Sequence, residues 1–145
     1  MVGWQFDRKQ RRLLLWTKKR IGILDFSEVS MEDESVFERG PRVNWIYDKG
    51  QDIRRCYWVN KGSYILFRDK GDAYLLELDP YSGARLYPVT SISERSEMSY
   101  IEETGNMYFI GGPDGKLMAQ NLVPIQNRFS RIRSPHGSLL EENES

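Results

Sequence analysis

Thiol chemistry has one place to start in this chain, Cys56, which stands between Arg55 and Tyr57. A thiolate nucleophile needs a base beside it, and the single imidazole is His136, in the stretch Ser134-Pro135-His136-Gly137. A Cys/His pair, or a serine hydrolase built on that histidine, requires the C-terminal tail to fold back into a packed cleft. The expectation is a structural Cys56 and a solvated His136. Carboxylates come as Asp33/Glu34, Asp69/Asp72 and Glu102/Glu103. Two acids flanking a scissile bond can hydrolyse a glycoside, but these three pairs fall in expected turns or in an acidic stretch, where acids serve solubility. Asp69-x-x-Asp72 also lacks the alternating oxygen ligands of a calcium loop. Gly111-Gly112-Pro113-Asp114-Gly115-Lys116 is one residue short of a phosphate loop, with neither Ser/Thr nor a helix pattern behind it. It reads as a hairpin turn. No catalytic residue, metal ligand or cofactor site is expected from these sets.

Charge offers one further candidate. Residues 1–20 hold seven bases, Arg8, Lys9, Arg11, Arg12, Lys18, Lys19 and Arg20, against one acid, with Trp4 and Trp16 among them. Bases interleaved with aromatics suit an anionic partner such as single-stranded nucleic acid or a lipid surface. Leu13-Leu14-Leu15-Trp16 is a run rather than a helical stripe, so the bases fall in turns flanking a strand. The acids of residues 27–40 follow directly, and the expected reading is a solvated or loop-paired surface. The seven bases remain the one candidate anion or partner surface.

Over the whole chain, 145 residues carry 21 Lys+Arg and 21 Asp+Glu, so no net charge draws it to nucleic acid or membrane. Aromatics at 12% are too many for a disordered chain. One cysteine excludes an internal disulfide framework. The N-terminus lacks a charged-then-apolar leader and no uncharged run is long enough to span a bilayer. The default expectation is a cytoplasmic location, or an extracytoplasmic one if the chain belongs to an envelope protein.

Three stretches align without internal gaps, starting at Arg12, Tyr64 and Tyr108, with offsets of 52 and 44 residues. Each is an apolar run, a polar or glycine-containing turn (Thr17 to Arg20, Asp69 to Asp72, Gly112 to Gly115) and a second apolar run, the pattern of a β-hairpin. A strand-like piece precedes each: Trp4-Gln5-Phe6, Arg55-Cys56-Tyr57-Trp58-Val59 and Ser99-Tyr100-Ile101. A fourth follows the first two, in Val43-Asn44-Trp45-Ile46-Tyr47 and Ala84-Arg85-Leu86-Tyr87-Pro88-Val89, the latter entered through the turn Asp79-Pro80-Tyr81-Ser82-Gly83. Four strands in about 44 residues is the period of a propeller blade.

The units resemble the β-propeller superfamily, in particular TolB-like and WD40-like blades. Trp58-Val59-Asn60-Lys61-Gly62-Ser63 occupies the place of the family's Trp-Ser-Pro-Asp-Gly-Lys turn, and Leu78-Asp79-Pro80-Tyr81-Ser82-Gly83 fits its Asp-x-x-Ser/Thr-Gly habit. Ile53-Arg54-Arg55-Cys56-Tyr57-Trp58 is also similar to propellers that accompany PEGA domains in bacterial envelope proteins. The resemblance covers residues 3–123 and implies an all-β fold of about two and a half blades (3–48, 53–90 and 98–123), with an acidic loop at 27–40 and a flexible tail at 124–145. It implies that partners meet loops at one mouth of the fold. A closed propeller needs at least about four blades. The chain is therefore expected to be a binding or scaffolding module that completes itself with the remaining blades of a larger protein, a protein partner or copies of itself through open strand edges near Trp4 or Leu122. The alternatives are a propeller-type hydrolase or lyase fragment, or a nucleic-acid or anionic-lipid module using the basic hairpin. Leu13, Leu15, Ile65, Phe67, Leu75, Tyr108, Phe109 and Trp58 are the expected core.

Overall fold

Short polar turns fold each apolar run back on the next. In the computed structural model, which describes residues 1–26, 42–79, 83–93, 96–111 and 114–123, the elements among the described residues are strands. The first sheet holds β1 (Gly3–Asp7), β2 (Arg12–Trp16), β3 (Ile21–Asp25) and β4 (Asn44–Tyr47). A second sheet holds β5 (Ile53–Val59), β6 (Tyr64–Asp69), β7 (Asp72–Asp79) and β8 (Gly83–Ser91). The third is β9 (Met98–Ile101), β10 (Asn106–Gly111) and β11 (Lys116–Asn121). Each is an antiparallel meander in chain order, and no ladder joins one sheet to another among the described residues.

Local chemistry sets the turns. Asp7 Oδ1 accepts from the Lys9 backbone N–H at 3.0 Å, and Thr17 Oγ1 accepts from Arg20 N–H at 3.0 Å, side-chain oxygens standing in for turn carbonyls. Lys70 takes φ 53° in the two-residue β6–β7 turn, which lets the hairpin follow the twist of its strands. The acidic segment 27–40, the carboxylates Asp33 and Glu34, Pro80 to Ser82, Gly112-Pro113, and the tail from 124 with His136 lie outside the described residues.

Burial comes from stacking the sheets face to face. Leu14, Trp16, Ile21 and Ile23 of the first sheet pack on Ile53, Cys56, Trp58, Ile65, Phe67 and Leu76 of the second. The opposite face of the second sheet, with Tyr64, Leu66, Ala73 and Leu75, packs on Met98, Met107, Phe109 and Leu122. The second sheet is thus covered on both faces, and all six residues of β6 are buried.

Two core expectations need correction. Leu13 and Tyr108 are only half-buried, because they point away from the neighbouring sheet. Leu14 and Trp16 fill the seam in place of Leu13, and Met107 beside Phe109 in place of Tyr108. Near Leu122, β11 is an edge strand of the third sheet and pairs with β10 on one side, but Leu122 itself is covered. It is fully buried in the second seam, and its N–H donates to Gly105 O at 2.8 Å.

Candidate functional site

The leading strands of the first two sheets, β1 and β5, run side by side. Gln5 ties them: its Oε1 accepts from the Trp58 N–H at 3.0 Å and its backbone carbonyl from the Trp58 indole at 3.2 Å. Beyond this seam, at the starts of both strands, a cleft of about 500 Å³ opens. Val2, Gly3, Trp4 and Trp16 form one wall, and Arg54, Arg55, Arg68 and Glu97 form the other.

Each wall has a physical basis. Gly3 faces Trp16 across the β1–β2 pair, and a Cβ there would sit 2.4 Å from Trp16 Cζ2. Only the absent side chain lets the indole lie flat beneath β1. Trp16 Nε1 is buried without a hydrogen-bond partner among the described residues. Trp4, on the alternate face of β1, is largely exposed.

Arg68 is the fixed cation of the other wall. It is buried at the end of the run Tyr64-Ile65-Leu66-Phe67, and its Nε donates to Lys70 O at 2.9 Å. Its Nη2 donates to Ser93 O at 2.8 Å and its Nη1 to Ser96 O. The guanidinium is held by carbonyls, so it pins the segment before β9 onto β6. Arg54 and Arg55 are half-exposed. Arg54 Nε lies 3.1 Å from Asp52 Oδ2, and Arg55 Nε lies 3.8 Å from the exposed Glu97 Oε2. Exposed pairs of this kind hold weakly. The two guanidiniums can therefore exchange their present carboxylates for those of a ligand.

The cleft offers guanidinium forks beside an indole face, a combination that suits carboxylate groups next to apolar or aromatic ones. Its lining carries no nucleophile–base pair. Cys56 lies one residue from Arg55 yet is buried facing the first seam, where desolvation pushes its thiol well above the ordinary range. Asp69 is occupied by backbone, accepting from Asp52 N–H at 2.7 Å and from Gln51 N–H at 3.0 Å. Asp72 accepts from Ser91 Oγ at 3.1 Å, and Glu102 from the Asn60 N–H at 2.8 Å and the Tyr100 hydroxyl at 3.2 Å. Among the described residues, no group of three or more His, Cys, Asp or Glu is placed to hold a metal ion, and no helix is long and apolar enough to cross a membrane.

The seven N-terminal bases do not meet in one patch. Arg8, Lys9 and Arg11 lie at the β1–β2 turn, and Lys18, Lys19 and Arg20 at the β2–β3 turn. The five residues of β2 hold the two groups roughly 15 Å apart. Arg20 stacks over Trp45, 5.1 Å from the ring centroid. Arg12 turns into the first seam, with its guanidinium over the Trp58 ring.

The cleft itself went unforeseen, since it exists only once the sheets stack. Its sequence signal is an arginine, Arg68, inside the most apolar run of the chain, together with the adjacent pair Arg54-Arg55. No family model matches the chain, and neither a curated protein nor a solved structure does.

Proposed function

We propose that the chain is a non-catalytic, propeller-type binding or scaffolding module, built of blade-like sheets, that takes an acidic segment of a protein partner. The carrying observation is the cleft, where Arg54 and Arg55 stand half-exposed in a lining that also holds Trp4 and Trp16. Carboxylates pair with planar guanidinium forks, and an apolar residue between them covers the indole. The stack of meanders supports the propeller-type part of the reading, because each sheet buries one face on the next.

The test is a titration with a peptide of alternating Glu and Leu, followed by tryptophan fluorescence. Expected is saturable binding that weakens with salt, drops at least tenfold in Arg54→Ala/Arg55→Ala, and is unchanged in Lys18→Ala/Lys19→Ala. Binding indifferent to the first pair and lost in the second overturns the cleft as the site. A better fit of single-stranded DNA to the same titration would move the reading to a nucleic-acid module.

A further inference from the structure

The outward faces of the first and third sheets correspond, position by position, to the two sides of a buried seam. Phe6, Leu13, Leu15 and Leu24 stand where Trp58, Ile65, Phe67 and Leu76 stand one unit later, and those four are buried against the first sheet. Tyr108, Ile110, Leu117 and Ala119 stand where Tyr64, Leu66, Ala73 and Leu75 stand one unit earlier, and those four are buried against the third sheet. Strand register gathers the first set into two cross-strand rows, Trp4–Leu15–Gly22–Trp45 and Phe6–Leu13–Leu24. Trp4 is 63% exposed, Phe6 44% and Trp45 40%. On the third sheet Ile110 faces Leu117 across the ladder, and Leu117 is 71% exposed.

Charge says which surface meets which. In both existing seams the turn after the leading strand bonds to the corresponding turn of the next sheet. Gln10 Nε2 donates to Lys61 O, Arg12 Nη2 to Gly62 O, and the Asn60 N–H to Glu102 Oε1. One more step of the same stacking brings Glu102 and Glu103 of the third sheet beside a further first turn. In this chain that turn carries Arg8, Lys9 and Arg11. The acidic end of one molecule matches the basic end of another.

We infer that the third sheet of one copy packs on the first sheet of a second copy, head to tail, with Leu117 and Ile110 against Phe6 and Trp45. Two such contacts close a ring of two chains and six sheets, within the range of about four to eight in closed propellers. This goes beyond the peptide-binding cleft and shares only Trp4 with it, since Arg54 and Arg55 take no part.

Sedimentation of the intact chain from low micromolar to sub-millimolar concentration tests it. Expected is the mass of two chains, falling to that of one in Leu117→Glu and in Phe6→Glu, with melts that match the parent's at dilutions where it too is a single chain, because both side chains are exposed. A mixture of these two variants regains a dimer at higher concentration, since one keeps the first-sheet face and the other the third-sheet face. If Phe6→Glu lowers the melt, Arg8→Glu/Lys9→Glu replaces it on the fully exposed turn. A monomeric parent chain, association indifferent to both variants, or a mixture no heavier than its components overturns the inference. Titration of the Glu/Leu peptide into the same samples keeps the outcomes apart, because the cleft can bind or fail to bind in either state.

Discussion

The Arg12 guanidinium lies 4.4 Å from the centroid of the Trp58 ring, and its Nη2 reaches Gly62 O at 3.0 Å. A cation from the first sheet thereby roofs the best-anchored aromatic of the second. Burial outweighs the nearby Asp7 and Asp25 and lowers the pKa of the guanidinium, which stays charged at any ordinary pH. Trp58→Ala removes one of the seam's two indoles and its bond to the Gln5 carbonyl, and is expected to cost about 3–5 kcal/mol by urea denaturation. Combined with Arg12→Ala in a double-mutant cycle, the pair should couple by about 0.5–2 kcal/mol. A coupling of zero would show that the stacking contributes nothing.

Glycine substitutions separate backbone strain from crowding. Gly62 and Gly83 sit at φ +84° and +80°, where an L side chain is strained. At Gly83 nothing lies within 4 Å of an added Cβ, and Ala should cost about 1 kcal/mol. At Gly62 the Cβ would fall 1.8 Å from Arg12 Nη2 and must displace it. Gly62→Ala is expected to cost about 2 kcal/mol or more, because the contact with Trp58 is lost as well. Equal melts for the two variants would contradict this.

Arg68→Met keeps the length of the side chain and removes its donors. The carbonyls of Lys70, Ser93 and Ser96 then lose their partner, at about 1–3 kcal/mol for the buried Ser96 carbonyl and less for the other two, which water can reach. Backbone amides between Ser96 and Met98 should exchange faster than in the parent chain, with those of the first sheet unaffected. Uniform acceleration everywhere would mean that Arg68 holds the whole fold rather than this one connection.

Alkali should unfold the protein through groups buried in their neutral forms. Burial raises the Cys56 thiol above 9.0 and, ahead of any charge effect, the Tyr57 phenol above 10.0. Burial and then Glu102 raise Tyr100 in the same direction. A folded pKa above the unfolded one means that the unfolded chain loses its proton first. The stabilisation is complete below the unfolded values and disappears as pH rises through the folded ones. The urea midpoint should hold from neutrality to pH 9 and fall beyond it. Tyr57→Phe should flatten the fall, at a cost of about 1 kcal/mol for the bond from its hydroxyl to Met98 O. Disulfide exchange at Cys56 should follow global unfolding at every pH, and fast labelling of the native protein would disprove its burial.

The hairpins are legible in the sequence because turn chemistry is local. Thr17, the Lys70-Gly71 pair and Gly115 each mark a reversal, and the strands found around them match the apolar runs within a residue or two. Trp58 lies at the meeting of two sheets, as its position predicts, since a large apolar residue before a turn has few other uses. Facing is harder to read. Leu13-Leu14-Leu15-Trp16 is apolar at every position, so alternation cannot say which residues point to the neighbouring sheet. Cross-strand contact with Gly3 and Ile21 decides it for Trp16. The cleft lay further out of reach, because its arginines and its tryptophans belong to different sheets and meet only through stacking.

The complete burial of β6 sets an order in which the molecule can come apart. Its amides meet solvent only when both neighbouring sheets have left, whereas β1 or β11 can peel away while the remaining strands hold. Hydrogen exchange should therefore be slowest for Ile65 to Phe67 and graded outwards on each side, with two separate partial openings below the global one. A protease would first meet the flanks, and the fragment that survives longest should be the middle meander from Ile53 to Ser91.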